Sequence, residues 1–216
     1  MLRFRRTDSA QPTVSEHLDD ETLMTAAQGG DLAAYNLLVV RHQRAVFNVC
    51  YRILGSAPEA EDATQDTFLK AWQAAKSFKG GVVRPWLFRI ATNRCYDVLR
   101  SAARHPADSL SGGEDQPATD LPDSDDLVNP LAQVERKETS VLLQDALDRL
   151  PPDQRIAVIL CDIQRFSYEE ASQIIGAPSG TVKSRAFRGR ERLRQLLSAD
   201  QRTRELLAGP GRFSNE

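Results

Sequence analysis

The sequence predicts an all-α protein of two small helical domains joined by a flexible acidic linker. Apolar residues recur three and four positions apart, and no alternation typical of a β-strand runs for a convincing length. A Pro- and Asp-rich stretch from about residue 107 to 130 separates two such helical stretches. We predict a disordered extension over 1–18, a first domain over 19–104, a linker over 105–130, a second domain over 131–199 and a polar tail over 200–216.

Start and stop signals divide the first domain into four helices. The first ends at Gly29-Gly30, Asp31 caps the second, and Gly55 ends it. Pro58 suits the first turn of the third helix, where its missing N–H costs nothing. The predicted helices run from Asp19 to Gln28, from Asp31 to Gly55, from Pro58 to about Lys76, and from about Pro85 to Arg100 or Arg104.

The second domain is predicted to end in a helix-turn-helix. It begins with helices from about Leu131 to Leu150 and from Asp153 to about Gln164. Ser167 and Glu170 form a capping box, Gly176 stops the short helix that follows, and Ser179 is the expected N-cap of the last helix. Val182 and either Phe187 or Leu193 are expected to face the core.

The last helix carries a dense basic stripe, although the chain as a whole has a net charge of only -2. Such a stripe behind a turn is typical of an element that lies against nucleic-acid phosphates. A solvated helix with a charged face is the structural alternative. The cations are Lys183, Arg185, Arg188, Arg190, Arg192 and Arg194, and Glu191 is the acid among them.

The linker is acidic without interruption by a Lys, Arg or His between Asp108 and Asp126. It is either an inert tether or a segment whose repelling carboxylates keep it extended so that it occupies a basic channel as a nucleic-acid mimic. The sequence leaves these two readings open.

Two further patterns lie in the first domain. On the third helix, Asp62, Gln65, Asp66 and Leu69 share one face, which is either solvent-facing or a docking surface for a basic partner. In the segment RPWLFRIATNRCYDVLR, arginines alternate with Trp, Phe and Tyr, a combination that suits single-stranded nucleic acid because bases stack on rings while cations follow the backbone. Within that segment, Phe88 is expected to be a core residue.

Composition excludes several classes of function. No apolar run approaches the roughly 20 residues of a membrane span, and the N-terminus lacks a secretory signal, so we expect a cytoplasmic protein. The cysteines and histidines are scattered, which favours small core residues over a metal site or a disulfide framework. No phosphate-binding GxxxxGK[ST] run occurs, and we expect neither a cofactor nor an enzyme activity.

In the order of its motifs, the chain resembles the extracytoplasmic-function (ECF) sigma factors of bacterial RNA polymerase, members of the sigma-70 family. The resemblance extends from about Asp20 to Leu197 and rests on AEDATQDTFLKAW, RPWLFRIATNRCYDVLR, LPPDQRIAVIL and FSYEEASQIIGAPSGTVKSRAFRGRERL. It implies a factor that binds core polymerase, reads the minus 35 and minus 10 promoter elements and assists DNA melting. It also implies an inhibitory anti-sigma partner.

The resemblance further implies roles for individual residues. The docking surface for the clamp coiled coil of the largest polymerase subunit would comprise Asp62, Gln65, Asp66, Leu69 and Trp72, with the flap as a second polymerase contact. Minus 10 recognition and melting would fall to Trp86, Arg89, Asn93 and Arg94. Minus 35 recognition would fall to Thr181, Lys183, Ser184, Arg185, Phe187 and Arg188. The loop KGGVVRP between Phe78 and Trp86 does not match the family's base-specificity residues individually.

The linker is long enough for both elements, which lie roughly 60 Å apart, because the 26 residues of 105–130 extend to about 90 Å. An ordinary helix-turn-helix regulator that acts without the polymerase is the alternative, but it leaves the aromatic and acidic patterns of the first domain unused. A pure interaction protein, such as an anti-sigma antagonist or a sigma mimic, is disfavoured by the basic stripe.

Overall fold

The computed structural model describes residues 18–104 and 130–200, with side chains from residue 138 onward in the second range. The predicted linker and both termini lie outside the described residues. Within the described part every regular element is helical. The helices are α1 (Asp20–Gln28), α2 (Leu32–Leu54), α3 (Ala57–Ala74), α4 (Val83–Arg104), α5 (Pro130–Asp148), α6 (Pro152–Val158), α7 (Tyr168–Ile175) and α8 (Ser179–Ala199).

Local capping sets the ends of the N-terminal bundle, which we define as α1–α4. The Asp19 carboxylate accepts from Thr22 N, and the Asp31 carboxylate accepts from the amides of residues 33 and 34. Gly55 ends α2 in the left-handed conformation at φ 76°. A 3₁₀ turn over Ala75–Ser77 follows α3, so the predicted third helix is correct in extent but changes its winding in the last turn.

The core of the N-terminal bundle is built from the apolar positions that the spacing predicts. Leu38, Val46 and Ile53 of α2 are at most 1% exposed, and Phe88 of α4 is fully buried as expected. Small residues let α3 approach closely, because Ala60, Ala63 and Ala71 are fully buried.

The C-terminal bundle, α5–α8, differs from the prediction at two helix boundaries. The predicted helix from Asp153 to Gln164 is an α-helix only to Val158 and continues as a π-helical turn over Ile159–Ile163. Ser179 is the first residue of α8 and not its N-cap. The Pro178 carbonyl accepts from the amides of residues 181 and 182 at 2.8 and 3.1 Å and so starts the helix without a side-chain cap.

The helix-turn-helix itself forms as predicted. Ser167 and Glu170 make both hydrogen bonds of the capping box, and Gly176 ends α7 in the left-handed conformation at φ 73°. Val182 is fully buried and Leu193 is partly buried against the core, whereas Phe187 is 67% exposed, so Leu193 is the one of the two predicted alternatives that faces the core. Ala186 and Gly189 are also buried on this side of α8.

The two bundles touch each other directly. One stripe of α4 faces the C-terminal bundle, and the end of α2 contacts α5 and α6. The Phe88 ring meets the Phe166 ring edge-on at 5.2 Å between centroids. The described part of the molecule therefore holds both predicted DNA-binding segments in one packed arrangement.

Candidate nucleic-acid and polymerase interface

The acidic stripe of α3 forms an exposed surface on a fixed support. Asp62 and Gln65 are exposed, Asp66 is half-exposed, and Leu69 is 61% exposed, which is unusual for a leucine of a packed helix. Trp72 is half-buried because its ring packs on Tyr35 at 4.9 Å between centroids. An apolar side chain flanked by acids is suited to a partner that offers both cations and an apolar contact.

Tyr35 ties this surface to the core of the N-terminal bundle. Its hydroxyl donates to the backbone carbonyl of Phe68 at 2.5 Å, and burial raises its pKa to about 12. The hydroxyl therefore stays protonated as a donor at neutral pH. The bond holds the last turns of α3, and with them Leu69 and Trp72, against α2.

On α4, the side chains predicted to read the minus 10 element are partly exposed on one side of the helix. Arg89 and Asn93, one turn apart, are exposed. Trp86 is half-buried, since its ring packs on Phe78 at 5.1 Å between centroids. A ring that is held by a neighbour while one part remains open can stack on a base without losing much conformational freedom.

Arg94 connects the surfaces of α3 and α4. Its Nε lies 2.7 Å from Asp66 Oδ2, with both side chains about a third exposed at 30% and 41%. The sequence places these two residues in different functional sets, and the structure brings them together. In the arrangement described, the charge of Arg94 is therefore partly neutralised by an acid of the docking surface.

The helix-turn-helix presents the N-terminal half of α8 outward. Lys183, Ser184, Phe187 and Arg188 are exposed, and Thr181 is partly exposed. The Arg188 Nε donates to the Ser184 carbonyl at 3.2 Å, which directs the guanidinium along the helix surface. Five predicted minus 35 residues thus share an accessible surface on one helix, the geometry that a major-groove reading helix needs.

Two arginines of the basic stripe are used inside the protein. Arg185 lies 2.7 Å from Asp153 Oδ2, and its side chain is only 24% exposed. Arg190 donates to both oxygens of Asp162 and to the Tyr168 hydroxyl, and these hydrogen bonds raise its pKa. Arg185 and Arg190 therefore attach α8 to α6 and α7 in addition to adding positive charge.

Gly189 is a packing residue that the sequence analysis missed. A Cβ at this position would lie 2.6 Å from Val158 Cγ2 and 3.0 Å from the Gln154 carbonyl oxygen. Only glycine permits α8 to cross α6 at this distance. The signal in the sequence is a glycine in the middle of a basic helix, where it otherwise costs stability.

Two cysteines that are distant in sequence are neighbours in the fold. Cys50 and Cys95 are fully buried, and a hydrogen bond between their thiols, on α2 and α4, lowers the pKa of Cys50 and raises that of Cys95. The burial of both cysteines fits their expected role as small core residues.

Other kinds of site find little support in the described residues. They contain no cluster of three or more His, Cys, Asp or Glu side chains that could hold a metal ion. A groove between α5 and the end of α8 is lined by Leu142, Asp145, Arg149 and Leu196 among others. None of the described helices is both long and apolar enough to cross a membrane.

Comparisons with known proteins agree with this geometry. Family models match twice: Sigma-70 region 2 over residues 38–105 and Sigma-70, region 4 over residues 140–193. The first match covers most of the N-terminal bundle, and the second covers most of the C-terminal bundle. Hereafter region 2 denotes α1–α4 and region 4 denotes α5–α8.

Curated relatives point the same way. The chain is 33% identical over 183 residues to the RNA polymerase sigma-H factor of Pseudomonas aeruginosa, with 82% of this chain and 93% of that protein covered. It is 34% identical over 183 residues to the ECF RNA polymerase sigma-E factor of Salmonella typhimurium, covering 82% and 94%. It is 37% identical to the ECF RNA polymerase sigma factor SigE of Mycolicibacterium smegmatis over 172 residues, which are 78% of this chain but 65% of that relative.

Solved structures of sigma factors share the fold. CnrH, in its complex with the cytosolic domain of CnrY, superposes with a TM-score of 0.60 at 28% identity, covering 84% of this chain and 98% of CnrH. RpoE of Bartonella quintana, in its complex with the anti-sigma factor NepR, gives a TM-score of 0.59 at 32% identity, covering 77% and 98%. The fold, the two family matches and the relatives together establish that this chain belongs to the ECF sigma factors of the sigma-70 family, which are DNA-binding factors for transcription initiation.

Proposed function

We propose that the chain binds core RNA polymerase through α3, opens and reads the minus 10 element through α4, and reads the minus 35 element through α8. The observation that supports this division most strongly is that one chain exposes three chemically different surfaces on three packed helices. The surfaces are an acidic one with an exposed leucine on α3, an arginine and an amide on α4, and a basic one on α8.

At the minus 10 element, α4 would capture a base that has left the DNA stack. Extraction of a base costs a few kcal/mol of stacking and pairing. Trp86, held by Phe78, supplies a ring on which a base can stack, and Asn93 can both donate to and accept from a base edge. Arg89 lies on the exposed side of the same helix, where its charge can offset the repulsion of nearby phosphates.

At the minus 35 element, the N-terminal half of α8 would enter the major groove. Lys183 and Arg188 suit guanine edges or phosphates, whereas Thr181 and Ser184 offer hydroxyls. Phe187, exposed although apolar, suits a thymine methyl group. Arg185 would contribute to the local field while its ion pair with Asp153 fixes the position of the helix.

The partners and location follow from the family and belong to the same proposal. The solved complex of the sigma factor RpoE with the anti-sigma factor NepR suggests an anti-sigma partner for this chain as well. We place the protein in the cytoplasm, where bacterial polymerase acts, and assign it no catalytic activity of its own.

Run-off transcription with core polymerase on a genomic promoter library tests the proposal. Transcripts with defined start sites are expected only when the chain is present. The double variant Lys183→Ala, Arg188→Ala should lose binding to minus 35 duplex while it still captures core polymerase in a pull-down. A pull-down in which core binding disappears as well would contradict the separation of the two roles.

A second experiment addresses melting. Trp86→Ala should reduce permanganate reactivity of the opened strands more than it reduces the closed complex in a gel shift, because the ring acts only once bases leave the duplex. Equal losses in both assays would contradict the assignment of Trp86. A palindromic footprint formed without polymerase would favour the alternative, a dimeric helix-turn-helix regulator.

A further inference from the structure

A groove between α5 and the last turn of α8 lies on region 4, and we call it the α5–α8 groove. It encloses about 360 Å³. Its lining in the described part contains none of the residues that the proposed function assigns to polymerase or DNA. The lining residues are Leu142, Asp145, Ala146, Asp148 and Arg149 of α5, Leu196 and Leu197 of α8, and Asp200.

The base of the α5–α8 groove is apolar. Leu142 and Ala146 are one turn apart on α5 and are 7% and 5% exposed. Leu196 packs against the core, and Leu197, the next residue of α8, is partly exposed. Because consecutive residues of a helix point about 100° apart, the two leucines cannot both pack on the same side of α8. An occupant with apolar side chains would therefore bury leucine surface at this base.

The rim of the α5–α8 groove is mainly acidic. Three carboxylates, those of Asp145, Asp148 and Asp200, stand against the single guanidinium of Arg149 in the described lining. The Asp148 carboxylate is fixed at 3.0 Å from Arg155 Nη1. The groove thus suits a segment that places apolar side chains at its centre and cations beside them.

The course of the backbone leads the chain into this groove. α8 ends at Ala199, and Asp200 has extended backbone angles, φ -77° and ψ 126°. The helical direction therefore stops at a residue that itself lines the groove. Residue 201 begins at the rim and not at a distant point of the surface.

The residues that follow have the matching chemistry. Residues 201–208, which we call the tail segment, read QRTRELLA, with Arg202 and Arg204 before the pair Leu206 and Leu207. Gly209-Pro210 then marks a break. Seven residues reach up to about 23 Å from Asp200, whereas positions 142–149 of α5 span only about 10 Å. The leucine pair can therefore reach every part of the groove.

We propose that the tail segment binds in the α5–α8 groove of its own chain, with the leucine pair on the apolar base and the two arginines beside the carboxylates. The bound segment covers apolar surface of region 4 and braces the end of α8 against α5. Another protein can use this groove only by displacing the tail segment. None of this depends on whether the chain reads a promoter.

Hydrogen exchange of the full chain, read by mass on peptic fragments, tests the binding. The amides of 201–208 should exchange at least about tenfold more slowly than those of a synthetic peptide of the same sequence. Exchange at the rate of the peptide would overturn the inference. Protection that appears only at high protein concentration would place the segment of one copy on another and would also overturn it.

The leucine pair is tested by Leu206→Ser with Leu207→Ser. This double variant should lose the protection of 201–208, and its urea midpoint should fall by about 0.5 to 1 M because apolar surface returns to water. Phe213→Ser, the same kind of change beyond Gly209-Pro210, is the matched control and should leave both quantities unchanged. A double variant that exchanges as slowly as the parent chain would refute the role of the leucines and the site with it.

A charge exchange tests the placement of the arginines. Asp145→Arg on exposed α5 surface, and separately Arg202→Asp with Arg204→Asp, should each speed exchange of the tail segment. The triple variant pairs opposite charges again and should exchange more slowly than either. Glu138→Arg, an exposed position of α5 outside the groove, is the control and should exchange like the parent. A triple variant as fast as Asp145→Arg alone would contradict binding in this groove.

Discussion

Gly189→Ala tests whether the close crossing of α8 over α6 positions the recognition helix. The added methyl would lie 2.6 Å from Val158 Cγ2 and 3.0 Å from the Gln154 carbonyl oxygen. The first atom can move by a rotamer change, but the second belongs to the backbone of α6. Such overpacking costs up to about 3 kcal/mol, and the intrinsic preference of alanine for helix recovers about 1 kcal/mol. At the upper value of the overpacking cost, the net loss is about 2 kcal/mol in the free energy of unfolding of region 4.

Gly180→Ala is the matched control on the same helix, since a Cβ there meets nothing within 4 Å. Urea unfolding followed by helical circular dichroism should show Gly189→Ala with a midpoint lower by about 1 M, for a denaturant slope near 2 kcal/mol per M. Gly180→Ala should match or exceed the parent chain. Because the clash also pushes α8 away from α6, binding to minus 35 duplex should weaken for Gly189→Ala alone. A midpoint for Gly189→Ala at or above that of Gly180→Ala would refute the reasoning.

Three further predictions follow from single contacts. Ser167→Ala should cost about 1 kcal/mol in the free energy of unfolding at neutral pH. Hydrogen bonds from the backbone and side chain of Ser167 lower the pKa of Glu170. The stability that these bonds contribute is present above the unfolded-state pKa of Glu170 and is lost as the pH falls through the folded-state pKa. Ser167→Ala keeps the backbone N–H bond to Glu170 and loses the hydroxyl bond, so the gap between the two urea midpoints should narrow in acid. The gap should not close, because the Ser167 hydroxyl also accepts from the Glu170 amide, a bond that does not titrate. Tyr35→Phe removes the bond to a carbonyl of α3, which should cost about 1 kcal/mol in urea unfolding and weaken capture of core polymerase. The logarithm of the binding constant for minus 35 duplex falls linearly with the logarithm of the salt concentration, and Lys183→Ala should reduce the steepness of that line by about 1. Arg190→Ala should leave the steepness near that of the parent chain and should lower the free energy of unfolding instead.

Each of these has a clear contrary result. A constant gap between Ser167→Ala and the parent down to strong acid would show that Glu170 does not depend on the capping box. A urea midpoint of Tyr35→Phe equal to that of the parent chain would show that α3 is held by packing alone. Equal salt slopes for Lys183→Ala and the parent would remove Lys183 from the phosphate or base contacts.

The helices could be predicted because their ends are set by neighbouring residues. Asp31 accepts from amides two and three positions away, and Ser167 and Glu170 bond each other three positions apart, so the sequence contains the whole contact. The errors arise where the contact is less local. The π-helical turn after Val158 is no part of the periodic pattern, and the start of α8 at Ser179 depends on a proline carbonyl.

The candidate site could be predicted in composition but not in arrangement. The exposure of Lys183 follows from helical spacing, whereas Arg89 and Asn93 are candidates because the family resemblance implies them. The pairing of Arg94 with Asp66 requires the relative placement of α3 and α4, which spacing does not supply. Arg155 shows the same limit more strongly, because it is buried against the Ile53 carbonyl, about a hundred residues away in the sequence.

The division of charge on α8 explains how a protein with a net charge of -2 can hold a basic helix and still bind DNA selectively. Arg185 and Arg190 are paired with Asp153 and Asp162, so part of the positive charge of α8 is balanced by acids of the same domain. Lys183 and Arg188 are exposed and pair with no acid among the described residues, so they are the cations of the predicted minus 35 set that are free for phosphates and base edges. Non-specific affinity depends on the number of phosphates neutralised. Pairing part of the stripe internally therefore limits binding to arbitrary DNA and leaves selection of a site to contacts that also require the correct bases.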